Sequence, residues 1–245
     1  MLRKTLLVLA VLVSVSSLAQ ASFVSGPIVA PINNREVGFS LAQVIEAGGI
    51  RVGDKVFDMF SVNNSMSDGA QAPNPDGIIV YGVQINGELG LRFTGGWSAD
   101  ARQVADTVIV FRVTADQGWK ITDNSLWMDA YGAAAGGLVT ISENVYASDP
   151  LLGSNPALAN KSVKFSNRVE NKLYDHQEFS DEQGNLVAMQ QIWVVKDITV
   201  SGGPGTGYAM LSQFYQTFSQ IPEPASVILL AMGGLIALVR KGRRS

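Results

Sequence analysis

Short runs rich in β-branched and aromatic residues recur along the middle of the chain, separated by clusters of Gly, Asn, Asp and Pro. Residues 56–62 alternate imperfectly between apolar and polar positions, residues 78–85 are almost continuously strand-forming, and residues 90–94 alternate after the turn dipeptide Asn86-Gly87. Further runs lie at 107–114, 138–142, 162–165, 191–195, 197–200 and 209–218, while 63–77 and 202–207 read as loops. About nine or ten short strands with turn signals between them predict an all-β fold, an antiparallel β-sandwich. One short helix is expected over 40–47, with Leu41, Val44 and Ile45 on one face, Ser40 as N-cap and Gly48 as stop. No internal repeat is evident, which argues against a propeller or solenoid.

The two ends follow a different pattern. Arg3 and Lys4 precede a mostly apolar stretch over 5–15, and the small residues Ala19 and Ala21 frame a signal-peptidase site. Cleavage after Ala21 is expected, with a retained membrane anchor as the alternative reading. At the other end Pro222-Glu223-Pro224 leads into a 15-residue, largely apolar run over 225–239, followed by Arg240, Lys241, Arg243 and Arg244. As a helix that run would measure about 22 Å, short for a hydrocarbon layer of about 30 Å, though local thinning and snorkelling arginines close such gaps. The terminal cations predict that this end stays cytoplasmic. The two prolines bias the residues around Glu223 towards an extended form that a membrane-embedded protease could grip.

This three-part C-terminus closely resembles the PEP-CTERM sorting signal of Gram-negative bacteria, also labelled an ice-binding-protein C-terminal domain. The resemblance implies Pro222, Glu223 and Pro224 as the recognition site of an exosortase-type membrane protease. It further implies removal of the tail and release to the cell surface or an exopolysaccharide matrix. Segments 49–57, 91–93 with Trp97, 105–108 and 217–220 also resemble, more loosely, exported domains carrying such a tail. The expected organisation is a signal peptide over 1–21, an exported β-sandwich over 22–219, and a sorting signal over 220–245 with a single transmembrane helix and basic tail.

Charge distribution narrows the classes of partner. Residues 22–220 hold 12 Lys and Arg against 20 Asp and Glu, a balance that repels phosphate backbones and argues against nucleic-acid binding. The chain has no cysteine, which excludes thiol nucleophiles, cysteine-ligated clusters and disulfide staples. No cofactor is expected. His176 is the sole histidine; a neighbouring strand residue such as Asp175 points to the opposite face and cannot orient its ring, and no G-x-S-x-G elbow is present. The glycine-rich 202–207 lacks the Lys-Ser/Thr pair of a phosphate loop. Asn64, Asp68 and Asp76 carry oxygens suited to calcium, but the EF-hand template fails at Met66 and Pro75, leaving only a site of other geometry open.

Four tryptophans remain as candidates for stacking on sugar rings. Trp193, inside an apolar run, is expected in the core; Trp97 and Trp119, beside Gly and polar residues, are the expected exposed pair. The reading is a non-enzymatic secreted or cell-surface protein, a structural or adhesive component of an extracellular polysaccharide matrix. It would meet signal peptidase, the inner membrane before processing, the exosortase-type protease and exopolysaccharide. A carbohydrate-binding module, or a secreted glycan hydrolase with facing carboxylates, are the alternatives.

Overall fold

Two antiparallel sheets stack face to face in the computed structural model, which describes residues 26–34, 36–153, 155–167 and 171–223. In chain order the strands are β1 (Ile28–Val29), β2 (Phe39–Ser40), β3 (Ile50–Val52), β4 (Lys55–Met66), β5 (Ile79–Ile85), β6 (Glu88–Asp100) and β7 (Val104–Ala115). They continue as β8 (Trp119–Ala134), β9 (Leu138–Tyr146), β10 (Ala157–Ser166), β11 (Tyr174–Glu178), β12 (Gln191–Ser201) and β13 (Tyr208–Pro222). The first sheet runs β1-β3-β4-β7-β12-β9-β10 and the second β11-β8-β13-β6-β5-β2. Only the short β1–β3 pair among the named strands is parallel.

The single helix α1 (Leu41–Glu46) lies where the periodicity places it. Ser40 caps it by accepting from the Gln43 amide, and the Gln43 side chain accepts from the Ser40 amide, so a reciprocal box satisfies two donors the helix cannot. Asn86 and Gly87, with φ of 53° and 90°, form the tight turn from β5 to β6 that this dipeptide favours. The imperfect alternation over 56–62 has a local cause. A bulge at Met59, whose φ is 54°, lets both Phe57 and Phe60 face inward although they are three residues apart.

The strand expectations need correction, also for the short β1, β2 and β3, which match none of the expected runs. The segment 63–77 is not a loop throughout, because Asn63 to Met66 stay paired with β7 as the end of β4. The runs 191–195 and 197–200 are one strand, β12, continuous through Lys196. β8, 16 residues long, and β11 were not anticipated. Expected features at Ala19, Ala21, 225–239, Pro224, Arg240, Lys241, Arg243 and Arg244 lie outside the described residues. Among the described residues no helix is long and apolar enough to cross a membrane.

Between the sheets, Phe57, Phe93, Phe111, Phe214 and Phe218 fill the core, with Phe93 and Phe214 stacked at 4.9 Å. Charge is buried in the same layer. Glu143 of β9 is flanked by Lys196 of β12 and Lys161 of β10 in one register row, all three side chains wholly buried. Asn124 reaches across from β8 of the opposite sheet, donating to Glu143 Oε1 (2.6 Å) and accepting from Lys161. Burial opposes ionisation of Glu143, but the two ammonium groups outweigh it and hold its pKa below the ordinary value. Lys196 is pulled down to about 8 by its burial, against the upward pull of Glu143.

Replacing Glu143 with Ala leaves two buried cations without an anion and is expected to cost about 3–5 kcal/mol, read by urea denaturation. Because its folded pKa lies below the ordinary 4.5, the stability Glu143 contributes is complete above that pH and is lost as pH falls through the folded value. Melting temperatures measured from pH 6 to pH 3 are expected to drop more steeply in the wild type than in Glu143→Gln.

Candidate functional site

Alternation along each strand of the second sheet sends one set of side chains to the core and the other to the outer face. On β5 Val80 points inward and Tyr81 outward; on β6 Phe93 is inward and Arg92 outward; on β13 Phe214 is inward and Tyr215 outward; on β8 Leu126 and Met128 are inward and Trp127 outward. Strand register then aligns the outward set. Tyr81 pairs with Arg92, Arg92 with Tyr215, Tyr215 with Trp127, and Trp127 with Tyr174 of β11. Five strands thus present a single transverse row, Tyr81–Arg92–Tyr215–Trp127–Tyr174, about 19 Å long at the usual strand spacing.

Neighbouring groups hold these side chains in place. The Arg92 guanidinium lies 3.8 Å from the Tyr81 ring centroid. Trp127 and Tyr174 pack with ring centroids 5.2 Å apart at 44°, and the Tyr174 hydroxyl lies 3.3 Å from Ser125 Oγ. Gln213 Nε2 donates to the Tyr215 hydroxyl and to Asp129 Oδ2, each at 2.7 Å. Polar rows flank the aromatic one: Thr94, Gln213 and Asp129 on one side, Thr217, Ser125 and His176 on the other. Thr217 and Ser219 in turn donate to the two oxygens of Glu88. A row of ring faces edged by amides, hydroxyls and carboxylates suits a ligand with apolar faces and many hydroxyls.

The expected stacking pair is not part of this row. Trp97 is 1% exposed, packs on Phe214 in the core and donates its indole N–H to Thr107, so it offers no face to a ligand. Gly95 reflects close packing, since a Cβ there would stand 2.8 Å from the Trp97 ring, while Gly96 faces open space. Trp119 is 37% exposed, but it opens β8 eight residues before Trp127, roughly 26 Å along an extended strand. Trp193 is buried outside the main core cluster, its ring 6.0 Å from the Arg112 guanidinium.

Other candidate chemistry resolves into local structure. His176 Nδ1 lies 3.0 Å from Ser125 Oγ and 3.9 Å from Asp123 Oδ1; a serine relay needs the two partners on different ring nitrogens. Asp175 instead accepts from the Ser162 amide and pairs with Lys172. Asp123 and Glu178 share an open groove of about 300 Å³ with Leu186 and Ile221. Asn64 is engaged within the fold, donating to the Pro73 carbonyl and accepting from Thr107, while Asp68 and Asp76 fall in the segment between β4 and β5. Among the described residues no group of three His, Cys, Asp or Glu is placed to hold a metal. The glycine-rich 202–207 is the connection from β12 to β13, with Gly203 and Gly205 at φ of 70° and 76°.

Pro222 is the last residue of β13 and pairs with Trp119, and the Glu223 amide donates to the Gly118 carbonyl at 2.8 Å. Gln220 is tied in more firmly, accepting from the buried Lys55 at 2.7 Å and donating to Asp54. Extended backbone therefore runs without a break from the sandwich into the first residues of the Pro-Glu-Pro segment.

Trp97→Ala is expected to cost about 3–5 kcal/mol in urea denaturation, the magnitude of a large core truncation. Trp127→Ala, on the outer face, should cost far less in the same measurement.

Several solved structures bear a faint likeness to the chain. TmCBM61 in complex with β-1,4-galactotriose is 13% identical over 64% of this chain and 88% of its own, with a TM-score of 0.26. The Caldicellulosiruptor saccharolyticus CBM27-1 in complex with mannohexaose is 12% identical over 65% of this chain and 82% of its own, also at 0.26. The CBM22-1 xylan-binding domain of Paenibacillus barcinonensis Xyn10C is 12% identical over 64% of this chain and 85% of its own, at 0.20. Scores this low carry no argument about the ligand. No curated protein matches the chain. Residues 220–244 match the family model of the PEP-CTERM protein-sorting motif, so the chain carries that motif, which implies exosortase-type sorting, export and a surface location.

Proposed function

We propose that the chain is an exported, surface-sorted module that binds polysaccharide through the outer face of its second sheet, and that it serves as a structural or adhesive component of an extracellular polysaccharide matrix. The observation that carries this reading is the register row of Tyr81, Arg92, Tyr215, Trp127 and Tyr174 across five strands. Aromatic faces cover the apolar faces of pyranose rings, and the exposed Asp129 and His176, with the half-buried Thr94 and Gln213, are placed to meet sugar hydroxyls. Neither partner needs to change shape, because every ring sits on a rigid strand.

Delivery follows from the two ends. Signal peptidase cleaves after Ala21, the apolar run 225–239 holds the chain in the inner membrane with Arg240, Lys241, Arg243 and Arg244 on the cytoplasmic side, and the exosortase-type protease recognises Pro222, Glu223 and Pro224. The extended backbone at Pro222 and Glu223 supports that recognition, since proteases take substrates as strands.

Two experiments test the two halves. In a host that makes the protease, Glu223→Ala is expected to leave the tail attached, seen as an uncut C-terminal mass; normal processing would overturn the recognition role. For the full chain in mild detergent, Trp127→Ala is expected to weaken retention on the host's polysaccharide tenfold or more, about 1.4 kcal/mol, while Trp119→Ala leaves it unaltered. Equal retention of Trp127→Ala and wild type would remove the platform.

A further inference from the structure

The middle of the row contains a cation with no anion. Arg92 is 8% exposed, yet its only interaction among the described residues is the face of Tyr81, and its Nε–H is buried without an acceptor. A guanidinium carries five N–H donors, and holding one half out of water without a carboxylate is costly. The arrangement is therefore an open half of an ion pair.

The small cavity beside it, about 70 Å³, is bounded by Asn33, Asn34, Tyr81, Arg92 and Tyr215 among others. Donors predominate among its polar side chains. Asn33 Oδ1 accepts from the Gln84 amide and Asn34 Oδ1 accepts from the Glu36 amide, which leaves both NH₂ groups as free donors. The Tyr215 hydroxyl already accepts from Gln213 Nε2, which leaves its own proton to give. Guanidinium, two amide nitrogens and a phenol thus bring more donors than acceptors to the cavity, and the nearby carboxylate Asp129 is engaged by Gln213. The cavity has room for more than one water molecule, at about 10–15 Å³ of such space each. A planar carboxylate fits that space and matches the guanidinium fork with two parallel bonds.

Resting on the platform reading above, we infer that the preferred ligand is an acidic polysaccharide containing uronic acids, with sugar rings laid along Tyr215, Trp127 and Tyr174 and one ring's carboxylate inserted against Arg92. The surrounding acidic balance makes this a short-range contact, since net repulsion is screened beyond about 8 Å at physiological salt. Selection therefore acts on the position of the carboxylate rather than on the polymer's total charge.

The test uses the full chain in mild detergent, titrated with polygalacturonate, with alginate, with the carboxyl-reduced form of each, and with dextran sulfate as competitor. Wild type is expected to bind at least one uronan about tenfold more tightly than its reduced form. Arg92→Met should bring that ratio close to one, and Arg92→Lys, which keeps the charge but not the fork, should lower it about threefold. Removing an unpaired buried charge is not destabilising, so Arg92→Met should melt no lower than wild type; if it did melt lower, the Arg92→Lys ratio decides. A ratio that survives in both variants overturns the inference, as does dextran sulfate displacing the uronan more effectively than the uronan displaces itself. Equal binding of charged and reduced polymers, abolished by Trp127→Ala, would leave the platform standing without its acid pocket. Binding of none of these polymers would overturn both.

Discussion

Everything on the outer face depends on a charge placed in the interior. Glu143 is held between Lys161 and Lys196 beside one edge of the first sheet, on the face packed against the second, and Asn124 from the second sheet closes the group. A core of aliphatic and aromatic side chains alone resists a one-residue slip, which turns its apolar set to solvent, but tolerates a two-residue slip, in which one apolar contact replaces another. Buried ions do not tolerate it. Shifting β9 by two residues would keep its apolar set inward but carry Glu143 roughly 7 Å from its place between the lysines and leave buried charges unpaired, a penalty of several kcal/mol. The cluster adds little net stability over a well-packed apolar substitute, and what it provides is discrimination among registers.

That discrimination reaches the candidate site through β8. Asn124 and Trp127 are three residues apart on this strand, an odd separation, so fixing Asn124 inward fixes Trp127 outward. β13 pairs with β8 on one side and β6 on the other, and β6 with β5, so one locked position propagates to Tyr215, Arg92 and Tyr81. Each of those residues could stand in the row only if every intervening pairing were correct. The aromatic row is therefore a product of register, and the interior charge adds a penalty against slips that the apolar pattern alone would allow.

The same dependence explains what could be read from sequence. Strands with apolar residues at every inward position, such as β7 with Ile109, Phe111 and Val113, were legible because period-two alternation needs no knowledge of neighbours. The capped helix and the Asn86-Gly87 turn were legible for the same local reason. Lys196 hid the continuity of β12, because a lysine between two apolar runs looks like a boundary when its buried partner lies 53 residues away. Asn124 and a string of small and polar residues likewise concealed β8. The row itself had no sequence signal, since each member is a solitary aromatic or arginine on its own strand, and only pairing brings them together. Trp97 misled in the opposite sense: its glycine and polar neighbours suggested exposure, whereas Gly95 thins the backbone so that the indole can pack against it.

One strand connects the proposed binding face with the sorting motif. β13 contributes Tyr215 to the row and ends at Pro222, seven residues and roughly 23 Å further along. The row crosses the strands transversely, so a chain attached through the residues after Pro222 offers all five side chains at a similar distance from its attachment point. A polymer lying across the sheet can then engage the whole row without one end being obstructed by the surface that holds the protein. Had the row run along a strand, its near end would sit against that surface. Under the proposed function, the transverse geometry makes binding compatible with both an anchored and a released form, so capture of polysaccharide would not wait for cleavage.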